Sequence, residues 1–109
     1  RTAPTSTRDL AAKVVELVDR WSVARSPDWL GLYHVTNGGD CSWAEFALEI
    51  FRQSGLDVAV EPIGTAEYGA KAARPAYSVL AHGHLERLGI DDLRDWREAL
   101  ADYLRDPSR

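Results

Sequence analysis

Apolar residues recur at helical spacing over residues 8–21, where Leu10, Val14, Leu17, Val18 and Trp21 share a face. Thr5, Ser6 or Thr7 suits the cap, and Asp9 suits the positive end of the helix dipole. Pro27 breaks the polar connector "SVARSPDW". The short apolar run "LGLYHV", residues 30–35, predicts a strand, and "NGGD" a turn. Ser42 with Glu45 three residues on is a capping box. It opens a helix with an apolar stripe of Trp43, Phe46, Ala47, Ile50 and Phe51, and Gly55 stops it. "DVAVEPI", residues 57–63, alternates as a second strand. Residues 64–77 read as a long irregular loop, 78–80 as a brief extended piece and 82–88 as a short helix closed by Gly89. A last helix, starting near Asp91 or Asp92, carries Leu93, Trp96, Leu100, Tyr103 and Leu104.

This order predicts an α/β domain with a short, mainly parallel sheet and about four helices, its strand–helix–strand unit crossing right-handed. The 109 residues suit one domain, and 45% hydrophobic with 28% charged residues is an ordinary globular balance. A net charge of -4 argues against a general nucleic-acid or membrane-surface binder, though a local basic pocket remains open. One cysteine, Cys41, excludes an internal disulfide and suits the cytoplasm. No apolar run is long enough to span a bilayer.

The chemistry-bearing residues are sparse. His34, His82 and His84 have no zinc-ligand spacing with Cys41. Cys41 stands beside Asp40 at a helix start but lacks a base to orient it. "TNGGD" matches no phosphate-loop pattern and reads as a plain turn. Trp43 reads as core in preference to a ligand's edge. Within the 64–77 loop, Pro75 forces Arg74 into extended backbone. A guanidinium there either pairs bidentately with a phosphate or bridges to an acidic helix, and spacing alone does not choose. Lys71 adds a second cation, and Tyr68 and Tyr77 offer flat rings for a base or sugar.

The segments in order add more. Pro4-Thr5 before Asp9-Leu10, Gly31-x-Tyr33-His34, Ser42-Trp43-x-x-Phe46-Ala47, Ala73-Arg74-Pro75 and Asp95-Trp96-Arg97 span nearly the whole chain. Their order and spacing resemble the C-terminal part of the dTDP-4-dehydrorhamnose reductases, which are extended short-chain dehydrogenases. In that family NADPH reduces the 4-keto group of dTDP-4-dehydro-L-rhamnose, giving dTDP-L-rhamnose for cell-wall polysaccharide. The cofactor loop and the Tyr-x-x-x-Lys acid lie in a Rossmann domain. Neither is present here: Tyr33, Tyr68, Tyr77 and Tyr103 are followed four residues on by Asn37, Ala72, Ala81 and Pro107.

The resemblance therefore implies a substrate-binding domain over residues 1–109, catalytically incomplete, with residues 1–25 packed on a Rossmann half that carries NADPH. It implies that Arg74, Pro75, Tyr68, Thr5 and Trp43 border a dTDP-sugar cleft. A Mg2+ ion in the full-length enzyme and a homodimer are further expectations. One departure is "YSVLAHGHL", where family members carry a polar and a basic residue in place of Tyr77 and His84. Two rival readings remain: an interaction module like the regulatory subunit of methionine adenosyltransferase, and another nucleotide-sugar epimerase or dehydratase.

Overall fold

A computed structural model describes residues 1–108. Five α-helices run in the order α1 (Thr7–Ala24), α2 (Trp43–Gln53), α3 (Thr65–Tyr68), α4 (Gly83–Arg87) and α5 (Trp96–Arg105), with a 3-10 turn at Pro27–Trp29. α1 is capped by Ser6, whose hydroxyl accepts from the Asp9 N–H. The capping box of α2 forms in full: Glu45 N donates to Ser42 Oγ, and Ser42 N donates to Glu45 Oε2. Gly55 sits at φ +70° beyond α2, and the Leu56 N–H returns to the Phe51 carbonyl. This closes the helix as a Schellman motif.

The expected α/β class is corrected, because no strand forms among the described residues. Backbone pairing is confined to two isolated bridges, antiparallel Thr2–Cys41 and parallel Gly38–Asp95. The apolar positions of the two expected strands are not covered by a second layer. Leu32 is 78% exposed, and Leu30, Val58 and Ile63 are also exposed. A sheet needs both a ladder partner and a covering face, and residues 30–35 find neither. The His84 ring meets one carbonyl of this stretch and one before it: Nδ1 faces Leu32 O and Nε2 faces Asp28 O.

The last helix also starts later than its periodicity predicts. Residues 94–96 are drawn into the bridge with Gly38, whose N–H donates to Arg94 O while Trp96 N–H donates to Gly38 O. The helix begins only after this, capped by Asp95. Gly39 is required there. It holds φ +77°, and a Cβ would lie 2.6 Å from Asp95 Oδ2.

The core is small and lies between α2 and α5. Cys41, Trp96 and Leu100 are buried, with Phe46, Ile50 and Leu104 packed against them. Phe46 meets Trp96 edge-on at 5.6 Å. The chain is spread rather than globular. Its radius of gyration is 16.9 Å, against about 13 Å for a compact domain of this length. Its accessible surface is 7805 Å2, against about 6000 Å2 for a monomer of this mass. Large apolar side chains share in that exposure, on α1 Leu10, Val14, Val15 and Val18.

Candidate functional site

Two polar assemblies hold the chain together. The first centres on Asn37, 1% exposed. Its side-chain oxygen accepts from Ser6 N at 2.7 Å, and its amide nitrogen donates to Asp9 Oδ2 at 2.7 Å and to Arg94 O at 3.3 Å. Arg94 grips Asp9 through two N–H groups at 2.9 and 3.0 Å, and also reaches Asp102. The Arg94 guanidinium holds the Asp9 carboxyl below its usual range; burial opposes this and Asn37 assists it. The second assembly centres on Lys13, 6% exposed. Its ammonium donates to Ile90 O at 2.9 Å, to Asp92 Oδ1 at 2.6 Å and to Glu16. Burial lowers its pKa, but the bonds to Asp92 and Glu16 outweigh that and leave it raised.

Sequence reading missed both centres. "TNGGD" was legible as a turn but not as a hub. Lys13 carried a faint signal: a cation one residue before Val14 and three after Leu10, beside the apolar stripe.

Two of the three histidines, His82 and His84, and the thiol are committed to structure. His82 joins Asp91 through Nδ1 at 2.7 Å and Thr36 Oγ1 through Nε2 at 2.7 Å. His84 stacks on Tyr33 with centroids 4.0 Å apart. Burial pushes the Cys41 thiol up, and Glu45 adds to it, so the thiolate is disfavoured. Among the described residues no cluster of three His, Cys, Asp or Glu side chains offers a metal seat, so the Mg2+ expectation gains no support.

The open face is different in kind. Tyr68 ends α3 and is 72% exposed, and Lys71, Arg74, Pro75 and Tyr77 follow it, all exposed. Among the described residues Lys71 and Arg74 have no ion pair, whereas Arg1, Arg8, Arg52, Arg94 and Arg105 each have a carboxylate partner. An acidic helix therefore does not capture Arg74. Trp43 corrects the core reading: as the first residue of α2 it is 74% exposed, its ring tilted 6.2 Å from Phe46. The helix stripe is real, but its first member lies outside the α2–α5 contact.

Thr5 lies elsewhere. Its hydroxyl donates to Ala3 O and accepts from Asn37 N. It lines a cavity of about 970 Å3 with Asn37, Phe46, Arg94 and Trp96, which Trp43, Tyr68, Arg74 and Pro75 do not line. The structure thus brings Arg74, Pro75 and Tyr68 into one loop and leaves Thr5 on another wall. This loop offers an uncommitted guanidinium, an ammonium and flat aromatic faces, a set suited to a phosphorylated ligand bearing a ring. It offers no acid, base or nucleophile in a tuned setting.

Comparisons with known proteins agree on a family. The description "RmlD substrate binding domain" matches residues 1–108. The chain is 48% identical over 106 residues to a spore coat polysaccharide biosynthesis protein, SpsK, of Bacillus subtilis, covering 97% of this chain and 34% of that protein. It is 38% identical over 100 residues to a dTDP-4-dehydrorhamnose reductase of Streptomyces griseus, covering 91% and 32%. Among solved structures, a dTDP-4-dehydrorhamnose reductase from Clostridium acetobutylicum superposes with a TM-score of 0.84 at 43% identity, covering 94% of this chain and 34% of that one. The Bacillus anthracis reductase in complex with NADP gives 0.83 at 38% identity, again covering 94% and 34%. The chain spans about a third of the length of the relatives it matches. With its residues 1–108 matched and its fold shared with two solved reductases, the chain belongs to the RmlD substrate binding domain family.

Proposed function

We propose that the chain is the substrate-binding part of a cytoplasmic, NADPH-dependent dTDP-4-dehydrorhamnose reductase, and that residues 68–77 receive the dTDP-sugar. The observation that carries this reading is the exposed Arg74 guanidinium, without an ion pair among the described residues and three positions after Lys71, on a chain of net charge -4. Arg74 takes the diphosphate, while Tyr68, Tyr77 and Trp43 present rings to the base and sugar, and Pro75 keeps Arg74 extended. Thr5 lines a separate cavity at the start of α1 and takes no part in this loop's contact.

The residues here do not fit NADPH, lacking both the glycine-rich loop and the Tyr-x-x-x-Lys pair. Hydride transfer therefore belongs to the other half, and this domain alone turns over no substrate. The uncovered stripe of Leu10, Val14 and Val18 on α1 supports packing of residues 1–25 against that half. The relatives bear reductase and polysaccharide-biosynthesis names, so the interaction-module and the epimerase or dehydratase readings gain no support.

The test is Arg74→Ala in the full-length reductase. Losing one charge-assisted contact should raise the KM for the dTDP-sugar about 10- to 100-fold while leaving the KM for NADPH unchanged. An unchanged sugar KM would remove Arg74 from the site.

A further inference from the structure

The loop bearing Arg74 has little hold on the rest of the domain. Among the described residues, the hydrogen bonds that tie residues 70–81 to the remaining chain all end on Arg1. The Arg1 carbonyl accepts from Ser78 N at 2.9 Å and from Ser78 Oγ at 3.2 Å. The next residue, Thr2, pairs with Cys41 in both directions at 2.9 Å. Residues 1–2 are thus a seam, with the loop on one side and the buried turn before α2 on the other.

The Arg1 side chain fixes that seam in place. Nε donates to Asp40 Oδ1 at 2.7 Å, and the two terminal nitrogens donate to the two Glu45 oxygens at 3.2 Å each. A fork of this kind holds a guanidinium in one geometry, which a point-charge ammonium does not. Glu45 is also the capping-box carboxylate of α2, the helix that presents Trp43. Arg1 holds its carboxyl below the usual range, and the Ser42 N–H assists. One residue therefore connects the Arg74 loop to the helix start that exposes Trp43.

We propose that Arg1 is a positioning residue for sugar-nucleotide binding: its guanidinium, locked on Asp40 and Glu45, sets where its own carbonyl holds Ser78, and so where Arg74 stands. The proposal rests on the role given to Arg74 above. Arg1 itself touches no substrate.

The test uses the full-length reductase with Arg1→Ala, Arg1→Lys, Arg74→Ala and the Arg1→Ala/Arg74→Ala double variant. Two readouts are taken. Trypsin cleavage after Lys71 reports the tether directly, because the Arg74–Pro75 bond resists that protease. Arg1→Ala should speed this cleavage about threefold to tenfold, since local opening governs access. It should also raise the sugar KM about threefold to fivefold, as expected for an exposed ion-pair fork. Arg1→Lys should fall between parent and Arg1→Ala in both. On the Arg74→Ala background the effect of Arg1→Ala on KM should vanish, because an effect transmitted through a missing group has no target.

Cleavage at the parental rate overturns the tether. A raised KM for Arg74→Ala beside an unchanged KM for Arg1→Ala overturns the positioning role and leaves Arg74 standing. An additive double variant also overturns it. A parental KM for Arg74→Ala sinks the reading of the site, and the Arg1 role with it.

Discussion

The α1–α5 junction and the 68–77 loop are built from the same residue types to opposite ends. At the junction each charge is spoken for: Asp9 by Arg94 and Asn37, Lys13 by Asp92 and Glu16, Arg94 by a second carboxylate at Asp102. Along the loop, Lys71 and Arg74 have no such partners among the described residues, and Tyr68 and Tyr77 show their rings to solvent. A buried polar group that lacks a partner costs stability, so the junction closes its own bonds. An exposed cation costs almost nothing to leave open, and it retains its full capacity for an incoming anion. The contrast teaches where to look for function in this chain: at the groups the fold does not consume.

The contrast predicts that damage at the junction is read as stability and damage on the loop as binding. Trp96→Ala should have the largest effect. Its ring is buried against Phe46 and Leu100, and truncation should cost about 3–5 kcal/mol in chemical denaturation. A loss below about 1 kcal/mol, the ordinary scale of a surface change, would mean that α2 and α5 do not form the core.

Acid should have a smaller effect, carried by the ion-paired carboxylates and not by the loop. Asp9 is held below its ordinary value first by Arg94. Glu49 is lowered from 4.5 to about 2, first by Arg52. A carboxyl depressed in the folded state stabilises it above the unfolded pKa, and that contribution is lost as pH falls through the folded value. Stability followed by circular dichroism should therefore decline from about pH 4.5 toward pH 2. A flat profile across that window would deny these ion pairs a role in folding.

Local signals were legible in the sequence and long-range ones were not. The capping box at Ser42 and Glu45, the stop at Gly55 and the presence of α1 depend on residues a few positions apart, though α1 runs on to Ala24, past the expected end at residue 21. The expected sheet failed because alternation at Val58 and Val60 says that one side is apolar, not what pairs with it. Trp43 was misread for a related reason: helical spacing groups it with Phe46 and Ile50 but does not say where the facing helix ends. The late start of α5 was hidden because Gly38, more than fifty residues earlier, takes the backbone of Arg94 and Trp96. The exposed, irregular form of residues 69–77 was legible because its signal is local, a cation before a proline in a segment without apolar period. Arg1 was not, since its importance comes from two carboxylates and a loop brought to it by the fold.

Titration of dTDP into the isotope-labelled full-length protein, followed residue by residue by NMR, is the most direct trial of the contrast. Shifts should gather on Trp43, Tyr68, Lys71, Arg74 and Tyr77, fade when thymidine without phosphate replaces dTDP, and spare Lys13 and Asp92. Shifts centred on the junction instead, or an equal response to thymidine, would contradict the assignment of the open loop to the sugar nucleotide.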